Sequence, residues 1–133
     1  VLPTQRQAGP CRVLVVEDNP VNQLVVKRLL ESLGHLVTLA GDGRTALEVS
    51  EGQTFDLVLM DCHMPVMDGF DAAKALRERG VKTPIYALTA AVSTEDRERC
   101  LAAGMNDLLA KPLRLERLKE VLASVAPSSS RAA

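Results

Sequence analysis

Five side chains of the kind that handles phosphate groups stand at the ends of apolar runs. Glu17 and Asp18 follow one such run, Asp61 ends another, and Thr89 and Lys111 follow two more. In an open α/β sheet, ligands bind outside the carboxyl ends of the strands, at the switch point of the strand order. The spacing therefore predicts one pocket that holds three carboxylates, a hydroxyl and an ammonium group.

The predicted chemistry of this pocket is phosphoryl transfer. Carboxylates this close raise one another's pKa unless a cation neutralises them. A hard divalent cation meets that need, and Mg2+ usually binds through one or two carboxylates together with phosphate and water. A lysine and a hydroxyl then suit the remaining phosphoryl oxygens, and a carboxylate is the nucleophile.

Single residues of the pocket also have ordinary structural interpretations. A lone Asp at a strand end is usually a helix cap or a turn former, Lys111 before Pro112 fits a loop lysine, and Thr89 fits a turn. Their joint placement at the ends of separate strands favours a functional site. Cys62 has no partner base and is expected to be a small buried residue, and His35 is expected at the surface.

Alternating strand and helix patterns predict the elements that position the pocket. Strands are expected at 12–16, 36–40, 56–60, 84–88 and 107–110, and the first three helices at 20–33, 44–51 and 69–79. A fourth helix is expected to be capped by Ser93 or Thr94 and to end near Gly104, and the apolar stripe of a final helix is expected from Leu115 to Val125. Such alternation specifies an α/β protein with a parallel sheet and helices on both faces. In the first helix, Asn19 is the predicted N-cap and Gly34 the stop, and the apolar stripe is expected to comprise Val25, Leu29 and Leu33.

Length and composition limit the class of protein. The 133 residues, 47% of them apolar, have room for one domain, which we expect at 11–126 between a linker at 1–10 and a tail at 127–133. The net charge of −1 argues against nucleic-acid binding, and no apolar run approaches the ~20 residues of a membrane span. Three widely separated cysteines suit a reduced, cytoplasmic protein.

Four segments together resemble the receiver domain of two-component response regulators. They are VLVVEDNPVNQ at 13–23, MDCHMPVMDG at 60–69, LTA at 88–90 and the pair Lys111-Pro112. The resemblance covers about residues 11–126 and implies the flavodoxin-like receiver fold, a five-stranded parallel sheet of order 2-1-3-4-5 flanked by five helices. The first two segments are most similar to receivers carried by hybrid sensor histidine kinases.

The resemblance implies that the acidic residues bind metal and accept phosphate. Asp61 is the implied phosphoacceptor and receives its phosphoryl group from a phosphohistidine. Asp18, Asp61 and the backbone carbonyl of His63 are the implied Mg2+ ligands, and Glu17 is expected to act mainly through water.

The remaining pocket residues are implied to handle the transferred group. Lys111 pairs with the phosphoryl group, Thr89 moves toward it on activation, and Ala90 belongs to the set that contacts it. The peptide between Lys111 and Pro112 is expected to be cis. One departure is Leu108, because receivers usually place Tyr or Phe three residues before the lysine; the aromatic half of the familiar switch is therefore missing.

The implied function is that of a phosphoacceptor in a phosphorelay. The resemblance implies that the domain lies in the cytoplasm and belongs to the cytoplasmic part of a hybrid sensor histidine kinase. The implied partner is the phosphohistidine domain of a histidine kinase or a histidine phosphotransfer protein, with no nucleic-acid or membrane contact by this domain. Partner docking is expected at a rim that comprises Pro20, Val21, Asn22, Leu24, Pro112 and Leu113. In the alternative interpretation, Val21 and Leu24 are core residues.

Other functions remain as alternatives. A stand-alone receiver would have the same pocket and would act as a phosphate shuttle or a phosphorylation-dependent binding module. A metal-dependent phosphatase with an aspartyl nucleophile would be expected to carry the motif Asp-x-Asp, in which the second Asp is the acid. Here the residue two positions after Asp61 is His63. A nucleotide-binding domain would need a glycine-rich phosphate loop after the first strand, and none is present. Whether the chain counts as an enzyme stays open, since the domain performs its own phosphoryl transfer while the expected parent is a histidine kinase.

Overall fold

The computed structural model describes residues 10–62, 64, 67–90 and 92–125. The expected tail at 127–133, residues 1–9 of the expected linker and His63 lie outside the described residues.

Strands and helices alternate along the described chain. The strands are β1 (Arg12–Val16), β2 (Leu36–Ala40), β3 (Leu57–Asp61), β4 (Ile85–Thr89) and β5 (Asp107–Ala110). The helices are α1 (Pro20–Ser32), α2 (Gly43–Gly52), α3 (Gly69–Glu78), α4 (Thr94–Ala102) and α5 (Leu115–Ala123). Across the described ranges, no helix combines the length and apolar character that a membrane crossing requires.

The strands form one parallel sheet in the order β2-β1-β3-β4-β5, which confirms the expected topology. Val16 at the end of β1 lies opposite Ala40 of β2 and Met60 of β3. The chain moves from β1 outward to β2 and then crosses to the other side of β1 for β3. The loops after β1 and β3 therefore diverge at the switch point and leave a crevice at the carboxyl edge.

Predicted and observed strand bounds agree closely. β1, β2 and β5 have the predicted bounds, whereas β3 and β4 each begin and end one residue later than predicted. Asp56 lies directly before β3 and is tied to the start of β1, since its backbone N–H donates to the Arg12 carbonyl at 2.8 Å and its side chain accepts from the Arg12 N–H at 2.9 Å. The shift makes Asp61 and Thr89 the last residues of their strands, still paired with β4 and β5.

Helices cover both faces of the sheet and bury two apolar clusters. The cluster beneath α1 and α5 is formed by residues that include Val26, Leu30, Leu118, Val121 and Leu122. The cluster beneath α2, α3 and α4 includes Ala46, Leu47, Phe70, Leu76 and Cys100. Because β1 and β3 contribute to both clusters, their sequences are continuous apolar runs rather than alternating ones.

Helix α1 presents a different face to the sheet from the one its apolar spacing predicted. Val26 and Leu30 are the buried positions, whereas Val25 is 46% exposed, and Leu29 and Leu33 are only partly buried. The predicted stripe was therefore wrong for Val25. Spacing by four residues fits neighbouring rows of a helix equally well, so the pattern alone does not choose between the row of Val25 and the row of Val26.

Helix α4 is attached mainly by polar contacts. Within the helix only Cys100 is buried, and Leu101 is 54% exposed. The Arg97 guanidinium pairs with the Asp107 carboxylate of β5 at 2.9 Å. The Arg99 guanidinium carbon lies 4.2 Å from the centre of the Phe70 ring in α3, a cation–π contact.

His35 was expected at the surface and is half-buried there. Its Nδ1 accepts a hydrogen bond from the backbone N–H of Cys11 at 2.9 Å, beside the first pairing of β1 with β2. Burial lowers the pKa of the imidazole below its ordinary value of 6.5. The neutral ring is therefore the form that the fold stabilises.

We expect His35 to make stability depend on pH. Because folding lowers the pKa of His35, the unfolded chain binds a proton more readily than the folded one. The contribution of the neutral ring to the free energy of unfolding is therefore complete above about pH 6.5 and is lost as the pH falls toward the folded-state pKa. His35→Asn keeps an acceptor near the Nδ1 position and does not titrate. Between pH 7 and 5, the free energy of unfolding measured by urea denaturation should fall by on the order of 1 kcal/mol more in the wild type than in the variant, which is the contribution of one hydrogen bond. Parallel pH profiles would contradict this assignment.

Candidate functional site

Three carboxylates meet at the carboxyl edge of the sheet. One oxygen from each of Glu17, Asp18 and Asp61 lies within 4.8 Å of the others. Glu17 and Asp61 are buried, at 1% and 5% exposure, and Asp18 is exposed. The structure thus brings together the three acidic residues that the sequence placed at two strand ends.

Lys111 reaches into this acidic pocket from the loop after β5. Its Nζ lies 3.0 Å from Oδ2 of Asp61 and 2.9 Å from Oε1 of Glu17. The expected cis peptide to Pro112 is present. The backbone N–H of Lys111 donates to the carbonyl of Thr89 at 2.7 Å, which ties the lysine loop to the end of β4.

The charges of the pocket do not balance. Among the described residues, one ammonium faces three carboxyl groups, so full ionisation leaves two negative charges uncompensated. Burial raises the pKa of Glu17 above its ordinary value. The hydrogen bond from Lys111 partly offsets this increase, and the nearby charge of Asp61 adds to it. Burial alone would lower the pKa of Lys111, but its contacts with Glu17 and Asp61 outweigh burial and hold it above the ordinary value. The lysine therefore stays charged.

The donor set of the pocket fits a divalent cation such as Mg2+. Its ligands would be hard carboxylate oxygens, and the exposed Asp18 opens the site to water. Oε1 of Glu17 is buried and has no hydrogen-bond partner other than the Lys111 ammonium among the described residues. Two excess negative charges equal the charge of one such ion. The expected ligand at His63 falls outside the described residues.

The loop after β3 is closed by Gly69, a residue that sequence reasoning included in a motif but did not single out. The Gly69 N–H donates to the Cys62 carbonyl at 3.1 Å, and Asp68 caps α3 through the Asp71 N–H at 2.9 Å. A Cβ at position 69 would collide with the carbonyl oxygen of Asp61. The sequence signal was a glycine directly after a helix-capping aspartate, where close approach of two backbone segments needs the smallest residue.

Thr89 and Ala90 lie where the sequence placed them, at the end of β4. Thr89 is buried at 3% exposure and opposite Ala110, and Ala90 is exposed. Cys62 is fully buried, as expected, and burial raises the pKa of its thiol to about 12. A thiol with this pKa is protonated near neutral pH and is no nucleophile.

Leu108 fills the position at which the resemblance leads one to expect an aromatic ring. Its side chain is 4% exposed and belongs to the cluster beneath α2, α3 and α4. In the sheet it lies opposite Ala87 of β4. The space between β5 and its helices is thus filled by an aliphatic side chain.

Comparison with known proteins places this geometry in a family. The family model for the response regulator receiver domain matches residues 13–123. Sensor histidine kinase RcsC of Salmonella typhi is 40% identical over 111 residues, which are 84% of this chain and 12% of that protein. The chain therefore spans only about an eighth of the length of this relative.

Two solved structures are similar over most of the chain. The receiver domain of sensor histidine kinase PA1611 from Pseudomonas aeruginosa PAO1, which holds a magnesium ion in its active-site cleft, is 48% identical with a TM-score of 0.79, over 87% of this chain and 97% of that one. A chain from the complex of Saccharomyces cerevisiae Ypd1, a histidine phosphotransfer protein, with the receiver domain of Ssk1 is 31% identical with a TM-score of 0.82, over 89% and 90%.

Gly69→Ala should destabilise the protein because the added methyl group meets the backbone carbonyl oxygen of Asp61. A backbone atom at the end of a paired strand cannot move aside as the end of a flexible side chain can. We expect a loss of about 1–3 kcal/mol in the free energy of unfolding, the usual cost of overpacking. Gly52→Ala is the matched control, since a Cβ there has open space. Urea denaturation of both variants measures the difference, and equal stabilities would show that the loop after β3 yields without cost.

Proposed function

The chain belongs to the response regulator receiver domain family of two-component signalling, and from this membership we propose that Asp61 is its phosphoacceptor. The main support for this proposal is the contact between the Lys111 ammonium and Oδ2 of Asp61 at 3.0 Å, inside a pocket with two further carboxylates. A buried carboxylate held beside a cation at the open edge of the sheet supports this proposed role as nucleophile.

The proposed transfer moves a phosphoryl group from a phosphohistidine to Asp61. A carboxylate oxygen of Asp61 forms a bond to phosphorus while the bond from phosphorus to the imidazole nitrogen breaks, and the nitrogen keeps the electron pair. Mg2+, when bound, would neutralise charge on the transferred oxygens. Lys111 can exchange its contact with Asp61 for one with a phosphoryl oxygen, since its Nζ already lies within 3.0 Å of the acceptor.

Asp18 and Asp61 are the proposed direct metal ligands, and Glu17 is proposed to act through water. Asp18 is exposed and open to an entering ion. Glu17 is buried behind it and paired with Lys111 at 2.9 Å. Thr89 and Ala90, at the end of β4, are the proposed contacts for the remaining phosphoryl oxygens.

The larger protein is proposed to be a hybrid sensor histidine kinase. RcsC, of which this chain matches 12%, is named a sensor histidine kinase, and the PA1611 receiver also comes from one. The receiver unit is proposed to span 11–126 and to lie in the cytoplasm. In this setting the domain relays phosphate between histidines.

The proposed partner surface lies on α1 beside the pocket. Val21 is 68% exposed and Leu24 is 46% exposed, so the alternative interpretation of these two as core residues was wrong. Leu113 is only 8% exposed and packs in the cluster beneath α1 and α5, so its expected place on the rim was wrong as well. An apolar helix face next to an acidic pocket suits a protein that carries a phosphohistidine on a helix, and the structure of Ypd1, a histidine phosphotransfer protein, with the receiver domain of Ssk1 supports a partner of this kind.

Asp61→Asn should abolish phosphorylation because it keeps the shape of the side chain and removes the nucleophile. The measurement is phosphorylation by acetyl phosphate with Mg2+, followed by intact mass. Asp71→Asn makes the same chemical change at an exposed position of α3 and should be labelled as wild type is. A phosphorylated Asp61→Asn protein would move the acceptor elsewhere.

Asn22→Arg should slow transfer from a phosphohistidine protein at least tenfold and leave labelling by acetyl phosphate intact. Asn22 follows the exposed Val21 in the first turn of α1, where a bulky cation would obstruct a docked helix. Gln53→Arg adds the same side chain at an exposed site after α2 and serves as the control. Equal slowing with both donors would indicate damage to the pocket rather than to docking.

A further inference from the structure

Gln23 ties α1 to the loop that carries Glu17 and Asp18. Its side-chain Nε2 donates a hydrogen bond to the backbone carbonyl of Glu17 at 2.6 Å. The backbone N–H of Gln23 donates to the carbonyl of Asn19 at 2.9 Å, within the first turn of α1. The donor is therefore fixed to a rigid element, while its acceptor lies just past the end of β1.

This bond acts on the peptide group that joins Glu17 to Asp18. The carbonyl of Glu17 belongs to that planar group, so holding its oxygen fixes the plane and, with it, the direction in which the chain enters Asp18. The two neighbours of Asp18 are held by other contacts. The Glu17 N–H donates to the Ala40 carbonyl at 3.0 Å, and the Asn19 N–H donates to Oε2 of Glu17 at 3.2 Å.

Electrostatic repulsion gives this restraint its importance. Asp18 lies within 4.8 Å of two other carboxylates, and the Lys111 ammonium contacts Glu17 and Asp61. In the absence of a metal ion, repulsion favours conformations in which the exposed Asp18 turns away. A restraint on the Glu17–Asp18 peptide opposes that movement and keeps the carboxylate where an ion would need it.

We propose that Gln23 is a positioning residue for the divalent cation, which it serves by holding Asp18 in place before the ion arrives. This inference rests on the proposed function, because it takes the acidic pocket as a Mg2+ site. Gln23 contacts neither the ion nor the phosphoryl group and acts only through the Glu17 carbonyl. Ligand orientation by such outer contacts typically changes metal affinity 10–100-fold.

Gln23→Met tests the role, since it keeps the length of the side chain and removes the donor. Mg2+ titration followed by amide NMR shifts should give a midpoint at least about tenfold higher than in wild type. Phosphorylation by acetyl phosphate should need more Mg2+ yet reach nearly the wild-type maximal rate, because a saturating ion reassembles the site. Gln53→Met makes the same exchange at an exposed residue and should leave the midpoint unchanged.

A second measurement needs no metal. The Asn19 amide donates to Oε2 of Glu17, so loosening the loop should speed its hydrogen exchange in metal-free Gln23→Met but not in Gln53→Met. Gln23→Glu supplies a further variant, in which an acceptor faces the Glu17 carbonyl. Added negative charge alone would tighten Mg2+ binding, so weaker binding in this variant supports the restraint and tighter binding overturns it.

The outcomes separate this inference from the function on which it rests. A folded Gln23→Met protein with lower thermal stability but a wild-type Mg2+ midpoint would show a merely structural hydrogen bond and overturn the inference alone. Asp18→Asn is the comparator that removes a proposed ligand itself and should weaken binding further. Wild-type protein that binds no Mg2+ would overturn both the inference and the proposed function.

Discussion

Repulsion among three carboxylates is the constraint that organises the functional end of this protein. Their oxygens lie within 4.8 Å of one another, and in the described part of the chain a single lysine opposes them. Such an arrangement is unfavourable by itself, and it persists because each residue is anchored by backbone that other interactions hold. Glu17 and Asp61 are buried at the ends of adjacent strands, so neither can retreat into water without disturbing the sheet.

The anchoring comes from small features at the loops. Gly69 lets the start of α3 lie against the backbone of Asp61, and the Lys111 N–H joins the ends of β4 and β5 through the Thr89 carbonyl. On the other side, Asn19 caps α1 through the N–H groups of Val21 and Asn22 at 2.8 and 3.2 Å. The apolar sheet stabilises the fold, and these local contacts fix the positions of the few polar atoms at its carboxyl edge.

The sequence was sufficient for those parts of the structure that depend on local pattern. Apolar runs located all five strands to within one residue, and Asn19 and Gly34 marked the ends of α1, where Gly34 has a φ of 89°. The same runs located the pocket, because residues that end parallel strands must share an edge. Contacts between distant segments were beyond such reasoning. The Cys11 N–H on the His35 ring and the backbone of Asp61 against Gly69 join residues that no spacing rule relates.

The polar attachment of α4 has a consequence for how the protein responds to its surroundings. Its contacts with the rest of the fold include the pairing of Arg97 with Asp107, whose side chains are 50% and 31% exposed, and the Arg99 guanidinium over Phe70. Dissolved salt screens exposed charge pairs but leaves buried apolar contacts intact. Ionic strength therefore weakens this attachment of α4, which follows the strand that carries Thr89, and leaves the buried apolar contacts beneath the helices intact. The salt content of the medium thus affects how firmly α4 is held against the sheet.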